Sequence, residues 1–329
     1  MKVVIPVAGI GSRMRPHTHT QPKSLIPVAG QPILAHIIRP LVEAGLTEFV
    51  FIIGYLGDKI ESYITDTFPE IKAEFVMQTS GKGIGHAIWL AKDLLPDDKE
   101  TIIVLGDTIF DSDLKKMLAM TGTQLGTKKV QDPRLFGVAE LSDEGYVTKL
   151  IEKPTIPKSN LALVGIYKIG DTKALKEALE HNIYNKIKTQ NEYHLTDALM
   201  RMVEQGTVMH TFDIDNWYDC GKPAILLETN AMLLRRLPQA KYDFPNTIIV
   251  PPVYVHPSAK VSNSIIGPDV SVGEGAVIDY SILKNSIIGP NALLNNAILH
   301  QSLIGNDASF QGPHQSLNIG DSTEINFGL

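Results

Sequence analysis

Near the start of the chain, VAGIGSRMRPHTHTQPKSLIPV places Gly9, Gly11, Arg13 and Lys23 directly after an apolar run. Glycines lack a β-carbon, so at the end of a strand they let backbone N–H groups approach a ligand and point at anionic oxygens. A forked guanidinium and a mobile ammonium beside such a loop suit a polyphosphate, which presents several oxygens to both. The stretch matches neither of two well-known phosphate loops. A dinucleotide fingerprint needs a third glycine where Met14 stands, and a Walker loop needs a lysine beside Gly11. Taken alone, the glycines fit a bare turn as well as a phosphate cradle.

Two acids bear on that choice. Asp107, in LGDTIF, follows the apolar run TIIV, and a carboxylate at the end of a buried strand is costly unless it meets a cation. Mg²⁺ takes few carboxylates together with phosphate oxygens and water, so a second acid is expected. NWYDCG offers Asp219. Separately, Asp107 reads equally as a cap and Asp219 as a turn residue. His17 and His19 form an HxH pair with no third ligand nearby and read as solvent-facing loop residues. His86 and His194 fall in helix-like segments, where packing is the expected role. Cys220 reads as a small packed residue rather than a nucleophile.

The elements that would hold these groups alternate. Apolar runs at KVVIPVA, 48–54, 73–78 and 101–107 are separated by helix-like segments at 33–46, 57–68 and 83–95. Continuous apolar strands alternating with amphipathic helices predict an α/β, Rossmann-like domain with a mainly parallel central sheet, its ligands at the carboxyl ends of the strands. Pro40 is expected to kink the first helix or end its first half. The domain is placed at 1–235. Prolines at 238, 245, 251 and 252 mark a linker over 236–250. Beyond it NSIIGPDVSVG, NSIIGPNALLN and QSLIGNDASFQG share an aliphatic pair before Gly or Gly-Pro, with spacings of 22 and 16 residues. Such periodicity predicts a hexapeptide-repeat β-helix over 251–329.

The chain has 329 residues, 43% of them hydrophobic, and a formal charge of −6. That charge disfavours a broad electrostatic grip on nucleic acid, which needs a basic face. A single cysteine excludes an internal disulfide framework and fits a reducing cytoplasm. No stretch approaches the roughly 20 apolar residues of a membrane span. Uncapped coils leave edges and apolar surface unpaired, so a homo-oligomer through the β-helix is expected.

GxGSRMxP, then PKSLIPV, then QPIL together resemble the signature of the sugar nucleotidyltransferases, which join a nucleoside triphosphate to a sugar 1-phosphate. The resemblance runs from Met1 to about Arg235 in five separated motifs. It implies a left-handed hand for the β-helix and a nucleotide loop of Ala8, Gly9, Gly11 and Ser12. Arg13 would hold the β and γ phosphates and Lys23 the α-phosphate, with Mg²⁺ on Asp107 and Asp219. QTSGKGIGHAI resembles the base-reading segment, with Gln78 and Gly83 matching its pyrimidine contacts. RLFGVAEL, LIEKP, LVGIY and the helix motif NEYHLTDAL resemble the sugar half, which implies sugar-phosphate roles for Gly137, Glu152, Lys153, Gly165 and Glu192. Thr108 would belong to that group, standing where many thymidylyltransferases have Asn. KGxGHA is closer to uridylyltransferases and LGDTIF to thymidylyltransferases, so dTTP or UTP with glucose 1-phosphate is expected. The alternatives are a mannose-1-phosphate guanylyltransferase, a bifunctional enzyme that also transfers acetyl groups, and a non-catalytic sugar-nucleotide-binding subunit.

Overall fold

The computed structural model describes residues 1–238 and 240–312. The chain divides into two compact units, Met1–Thr229 and Asn230–Leu329. In the first, the strands in chain order are β1 (Lys2–Pro6), β2 (Pro27–Val28), β3 (Gln31–Pro32), β4 (Glu48–Ile53), β5 (Lys72–Met77), β6 (Thr101–Val104), β7 (Thr108–Asp111), β8 (Thr123–Lys129), β9 (Gly137–Leu141), β10 (Val147–Glu152), β11 (Leu161–Ile169), β12 (Met209–Asp213) and β13 (Asn216–Asp219). The helices are α1 (Ile33–Glu43), α2 (Gly57–Thr67), α3 (Ile84–Leu90), α4 (Leu114–Ala119), α5 (Thr172–Tyr184), α6 (Leu195–Glu204) and α7 (Pro223–Leu234), the last running across the division between units.

β5, β4, β1 and β6 are parallel neighbours, in register at Phe49↔Ala73, Val3↔Phe49 and Val3↔Ile102. The apolar runs of β4, β1 and β6 are buried on both faces, most completely in β6, where all four residues are buried, whereas β5 at the sheet edge is only half-buried with both ends exposed. Beyond β6 the sheet changes sense. β11 runs antiparallel to β6 and buries all nine of its residues, and β9 and β10 form an antiparallel hairpin with Gly137 opposite Glu152. The hairpin closes through a tight turn, in which Ser142 N donates to Tyr146 O at 2.8 Å. Antiparallel strands need only such a turn, whereas parallel ones need a crossover. The sheet is therefore mixed, with its parallel half first in sequence.

Two helical expectations change in detail. α1 is not ended at Pro40: it continues to Glu43, and Pro40 O accepts from Ala44 N at 3.0 Å. A proline one turn from the end removes one internal hydrogen bond and leaves the rest of the helix intact. The segment 83–95 divides into α3 and a separate 3₁₀ turn at Lys92–Leu94.

In the second unit, short strands stack in parallel as three ladders, consistent with a left-handed β-helix. Ile248, Ile265, Ile282 and Ile298 follow one another along one ladder, Val253 and Val270 start the second, and Val277 pairs with Leu293 in the third. The uneven spacing of the aliphatic-glycine repeats has a structural reason. Ile266 pairs with Leu283, 17 residues on, whereas Ile288 pairs with Ile304, 16 residues on. Ile266 and Ile288 thus lie on different faces, and the step of 22 is not a coil length. Buried serines satisfy backbone groups between coils, as where Ser264 Oγ accepts from Ser281 N at 3.0 Å and Ser281 Oγ from Ala297 N at 3.1 Å. The first rung, Ile248–Ile249, falls inside the segment expected as a linker. The repeat domain expected beyond Gly312 lies outside the described residues. Among those residues no helix is long and apolar enough to cross a membrane.

Candidate active site

After β1 the chain passes through Ala8 and Gly9 to Gly11, whose φ of +67° lies in the left-handed region that favours glycine. A β-carbon at Gly11 would sit 2.9 Å from Lys23 Cβ, so its absence lets the lysine stem cross the loop. The turn is tied down from within. Thr18 Oγ1 and Met14 N each donate to Gly11 O at 2.9 Å, and the Met14 side chain is fully buried. Ser12 and Arg13 are left exposed. At Gly9 a β-carbon would meet nothing within 4 Å. No packing of the protein itself requires glycine there, and the space above it is open.

β7 and β13 form a two-stranded antiparallel ribbon in which Thr108 is opposite Asp219, and Cys220 N donates to Asp107 O at 3.0 Å. Both acids therefore come to one end of the ribbon. Lys23, its side chain only 12% exposed, pairs through its ammonium with the Asp107 carboxylate, to which Thr108 Oγ1 also donates at 3.4 Å. Burial pushes the Asp107 pKa up, but the charge and hydrogen bond of Lys23, the Thr108 hydroxyl and the charge of Arg13 outweigh it and leave the carboxyl below its ordinary value. Asp219 goes the other way, raised first by burial and then by the negative charge of Asp107. A β-carbon at Gly221 would lie 2.9 Å from both Arg13 Nη2 and Asp219 Oδ1, so Arg13 reaches back to the second acid. Lys23, Arg13, Asp107 and Asp219 thus form one cluster.

This cluster suits a hard divalent cation. Its donors are oxygens, and Asp219 carries the cost of burial first and then that of the neighbouring Asp107 charge, both of which a cation would relieve. Among the described residues no group of three or more His, Cys, Asp or Glu could hold a metal. Two carboxylates with further oxygens from phosphate and water is the arrangement Mg²⁺ favours.

At another edge Gln78 follows β5, and its amide nitrogen lies 3.3 Å from Gly83 O. Gly83 has φ +97°, and a β-carbon there would approach Tyr193 O to 2.5 Å. Side chains are excluded at that position by the backbone of the 189–194 loop. Tyr193 N donates to Lys82 O and Gly85 N to Tyr193 O, both at 2.8 Å, which fastens this loop to the start of α3.

Glu152 closes β10 opposite Gly137. Its Oε2 accepts from Thr196 Oγ1 at 2.7 Å, and its Oε1 lies 3.4 Å from His194 Nδ1 and 3.7 Å from Lys153 Nζ. The Glu152 side chain is 11% exposed and lies inside the fold, whereas that of Lys153 is 38% exposed. A β-carbon at Gly137 would lie 2.9 Å from Thr196 Oγ1 and 3.2 Å from Glu152 Oε2. Gly165 lies in β11, its carbonyl accepting from Leu105 N at 2.8 Å just before Asp107.

Residues 2–236 match the family model described as nucleotidyl transferase. The chain belongs to this family. A low-salt glycan biosynthesis nucleotidyltransferase of Haloferax volcanii is 30% identical over 99% of both chains. A glucose-1-phosphate thymidylyltransferase of Streptomyces griseus is 30% identical over 93% of this chain and 92% of its own. A UDP-glucose pyrophosphorylase solved with UDP-glucose shares the fold, with a TM-score of 0.63 and 24% identity over 72% of this chain and 99% of that one.

Within this nucleotidyltransferase, the residues singled out in the sequence divide into the cluster of two acids and two cations at the glycine loop, the Gln78–Gly83 edge and the Glu152–Gly137 edge. Glu192 differs in setting. It precedes α6, on an exposed loop where it bridges to Thr189, rather than lying in the helix, and its Cβ is beside Gly83. His194 caps α6 instead of lying within it. Thr108 is buried and directs its hydroxyl to Asp107. His17 is half-buried in a 3₁₀ turn, His17–His19, and burial lowers its pKa. The sequence reading missed Thr18, Thr196 and Gly221, each of which holds or makes room for a site residue. Thr196 lies inside NEYHLTDAL and Gly221 directly after the second acid, yet nothing in a local pattern shows which hydroxyl turns toward a distant carboxylate. Cys220 is fully buried, and burial pushes its thiol up to about 12, which fits a packed residue and not a nucleophile.

Proposed function

We propose that this nucleotidyltransferase makes an NDP-sugar and pyrophosphate from a nucleoside triphosphate, dTTP or UTP preferred, and a sugar 1-phosphate, most simply glucose 1-phosphate. The observation that carries the reading is the convergence of Lys23, Arg13, Asp107 and Asp219 at the mouth of the glycine loop. A phosphate oxygen of the sugar 1-phosphate attacks the α-phosphorus in line, and pyrophosphate leaves. The attacking monoester is already anionic near neutral pH, so alignment and charge neutralisation replace a general base. Gly9 and Gly11 admit the triphosphate to the backbone, Lys23 neutralises the α-phosphate, and exposed Arg13 neutralises the departing pyrophosphate. Asp107 and Asp219 would hold Mg²⁺, which supplies further positive charge to the phosphates when bound. Glu152, fixed by Thr196, accepts from sugar hydroxyls, Gly137 and Gly165 line that edge, Lys153 pairs with the sugar phosphate, and Glu192 reaches the sugar.

Pyrophosphate release from four nucleoside triphosphates against glucose, mannose and amino sugar 1-phosphates tests the reading. Turnover with UTP or dTTP at least tenfold above GTP is expected. Equal rates with GTP would overturn the pyrimidine preference, and no turnover in any pairing would favour a binding subunit. The relatives' names support the reaction class, and the 30% identity to a glucose-1-phosphate thymidylyltransferase supports the sugar. We place the reaction in the cytoplasm, in keeping with the single buried cysteine. The chain also assembles as a homo-oligomer through its β-helix, where Ile248, Ile282 and Ile298 form an exposed aliphatic row. Light scattering at micromolar concentration is expected to give a multiple of the 36.1 kDa chain mass, and a monomer would refute the assembly.

A further inference from the structure

Gln78 has two contacts, and together they determine which way its amide points. The amide nitrogen is 3.3 Å from Gly83 O and 3.1 Å from His86 Nδ1. A backbone carbonyl only accepts, so the atom facing Gly83 is the NH₂ group. Its second hydrogen then goes to His86 Nδ1, which must offer a lone pair, so the His86 proton resides on Nε2. Burial, and then the charge of Lys82, lower the His86 pKa, which keeps the ring neutral at pH 7. The ring itself is held between aromatic neighbours, with centroids 5.8 Å from Trp89 and 6.3 Å from Tyr193. Gly83 O is equally fixed, because it also accepts from Ala87 N at 3.1 Å in the first turn of α3. With both amide hydrogens engaged, Oε1 is what Gln78 has left to offer a ligand.

We propose that His86 is a positioning residue that locks the Gln78 amide with its oxygen toward the nucleobase, so that the site selects bases carrying a ring N–H. Uracil and thymine present N3–H and guanine N1–H to such an acceptor. Cytosine and adenine present a lone pair there, and two acceptors facing each other leave both unpaired. A glutamine without the lock would rotate to suit either class. The proposal rests on the assignment of Gln78 to the base given above.

The test compares KM and kcat for UTP or dTTP, whichever turns over faster, with those for CTP. His86→Phe keeps an aromatic ring in the slot but has no acceptor. It is expected to raise KM for the imide nucleotide about tenfold, to leave kcat nearly unchanged, and to shrink the preference over CTP by at least the same factor. His86→Asn, whose side-chain oxygen can replace Nδ1 as the acceptor, is expected to restore most of both. His86→Leu serves where the phenylalanine variant does not fold. Gln78→Ala separates the two ideas. If it leaves the nucleotide KM and the preference untouched, the base assignment itself fails. If it weakens the imide nucleotide while both acceptor-free His86 variants keep the wild-type preference, the positioning role is overturned and the base assignment stands.

Discussion

Lys23→Ala is expected to lower kcat about 10²–10³-fold, by analogy with the loss of one preorganised oxyanion-stabilising donor from an acyl-transfer site. The same substitution has a second readout that does not depend on substrate. In the folded wild-type protein the Asp107 carboxyl lies below its ordinary value because Lys23, together with Thr108 and Arg13, outweighs burial. A depressed carboxyl contributes stability that is present above its unfolded pKa and lost as pH falls through its folded pKa. Without Lys23 the burial effect dominates and the sign reverses, so the variant is less stable than wild type at pH 7 and the difference narrows below about pH 4. Urea unfolding at the two pH values checks it. Lys23→Arg keeps the charge but not the compact ammonium, and is expected to retain much of the stability while recovering little of the rate. A kcat for Lys23→Ala within threefold of wild type would remove Lys23 from the chemistry.

The parallel half of the sheet was legible because β1, β4 and β6 are buried on both faces and read as unbroken apolar runs. The antiparallel half was not. β11 is as fully buried as β6, and burial does not record strand direction: β11 runs antiparallel to β6, β8 and β9 alike. In the second unit, similar aliphatic-glycine pairs recur on different faces of the coil, so Ile266 and Ile288 share a motif although their ladder partners are Leu283 and Ile304. Side-chain direction within a coil is set by stacking, which one strand alone does not reveal.

The charged members of the site were the easier part. Carboxylates and cations that strands bring to one end are costly without partners, so Asp107, Asp219, Lys23 and Arg13 attract notice from type and position alone. The residues that hold them in place are ordinary in composition. Thr18 and Thr196 look like any loop or helix threonine until Gly11 O and Glu152 are found within hydrogen-bond reach. His86 read as packing, and it does pack, but its Nδ1 also meets an amide eight residues earlier in the chain. Gly11 shows the converse: a glycine expected to approach phosphate also makes room for Lys23, and the two demands share one position.

Asp219→Asn separates function from stability in the opposite direction to Lys23→Ala. The asparagine keeps the size of the side chain and an oxygen to accept from Gly221 N, but it removes one of the two carboxylates that would hold the cation. Activity is expected to fall about 10²–10³-fold, with a higher Mg²⁺ concentration needed for half-maximal rate. Stability is expected to rise. Burial and the neighbouring Asp107 charge lift the Asp219 pKa above its unfolded value, so the ionised carboxyl favours the unfolded chain at neutral pH. Replacing it removes a cost present above the folded pKa, and the gain fades as pH falls below the ordinary carboxylate value, where the wild-type group is protonated in both states. Unfolding midpoints measured with EDTA present, at pH 7 and below pH 4, isolate this from any effect of bound metal. A variant both inactive and destabilised at pH 7 would mean that Asp219 supports the β7–β13 ribbon. A stabilised variant with wild-type kcat would remove it from the cation site. The expected pairing, more stable and less active, is that of a carboxylate kept in an unfavourable place because the reaction needs its charge.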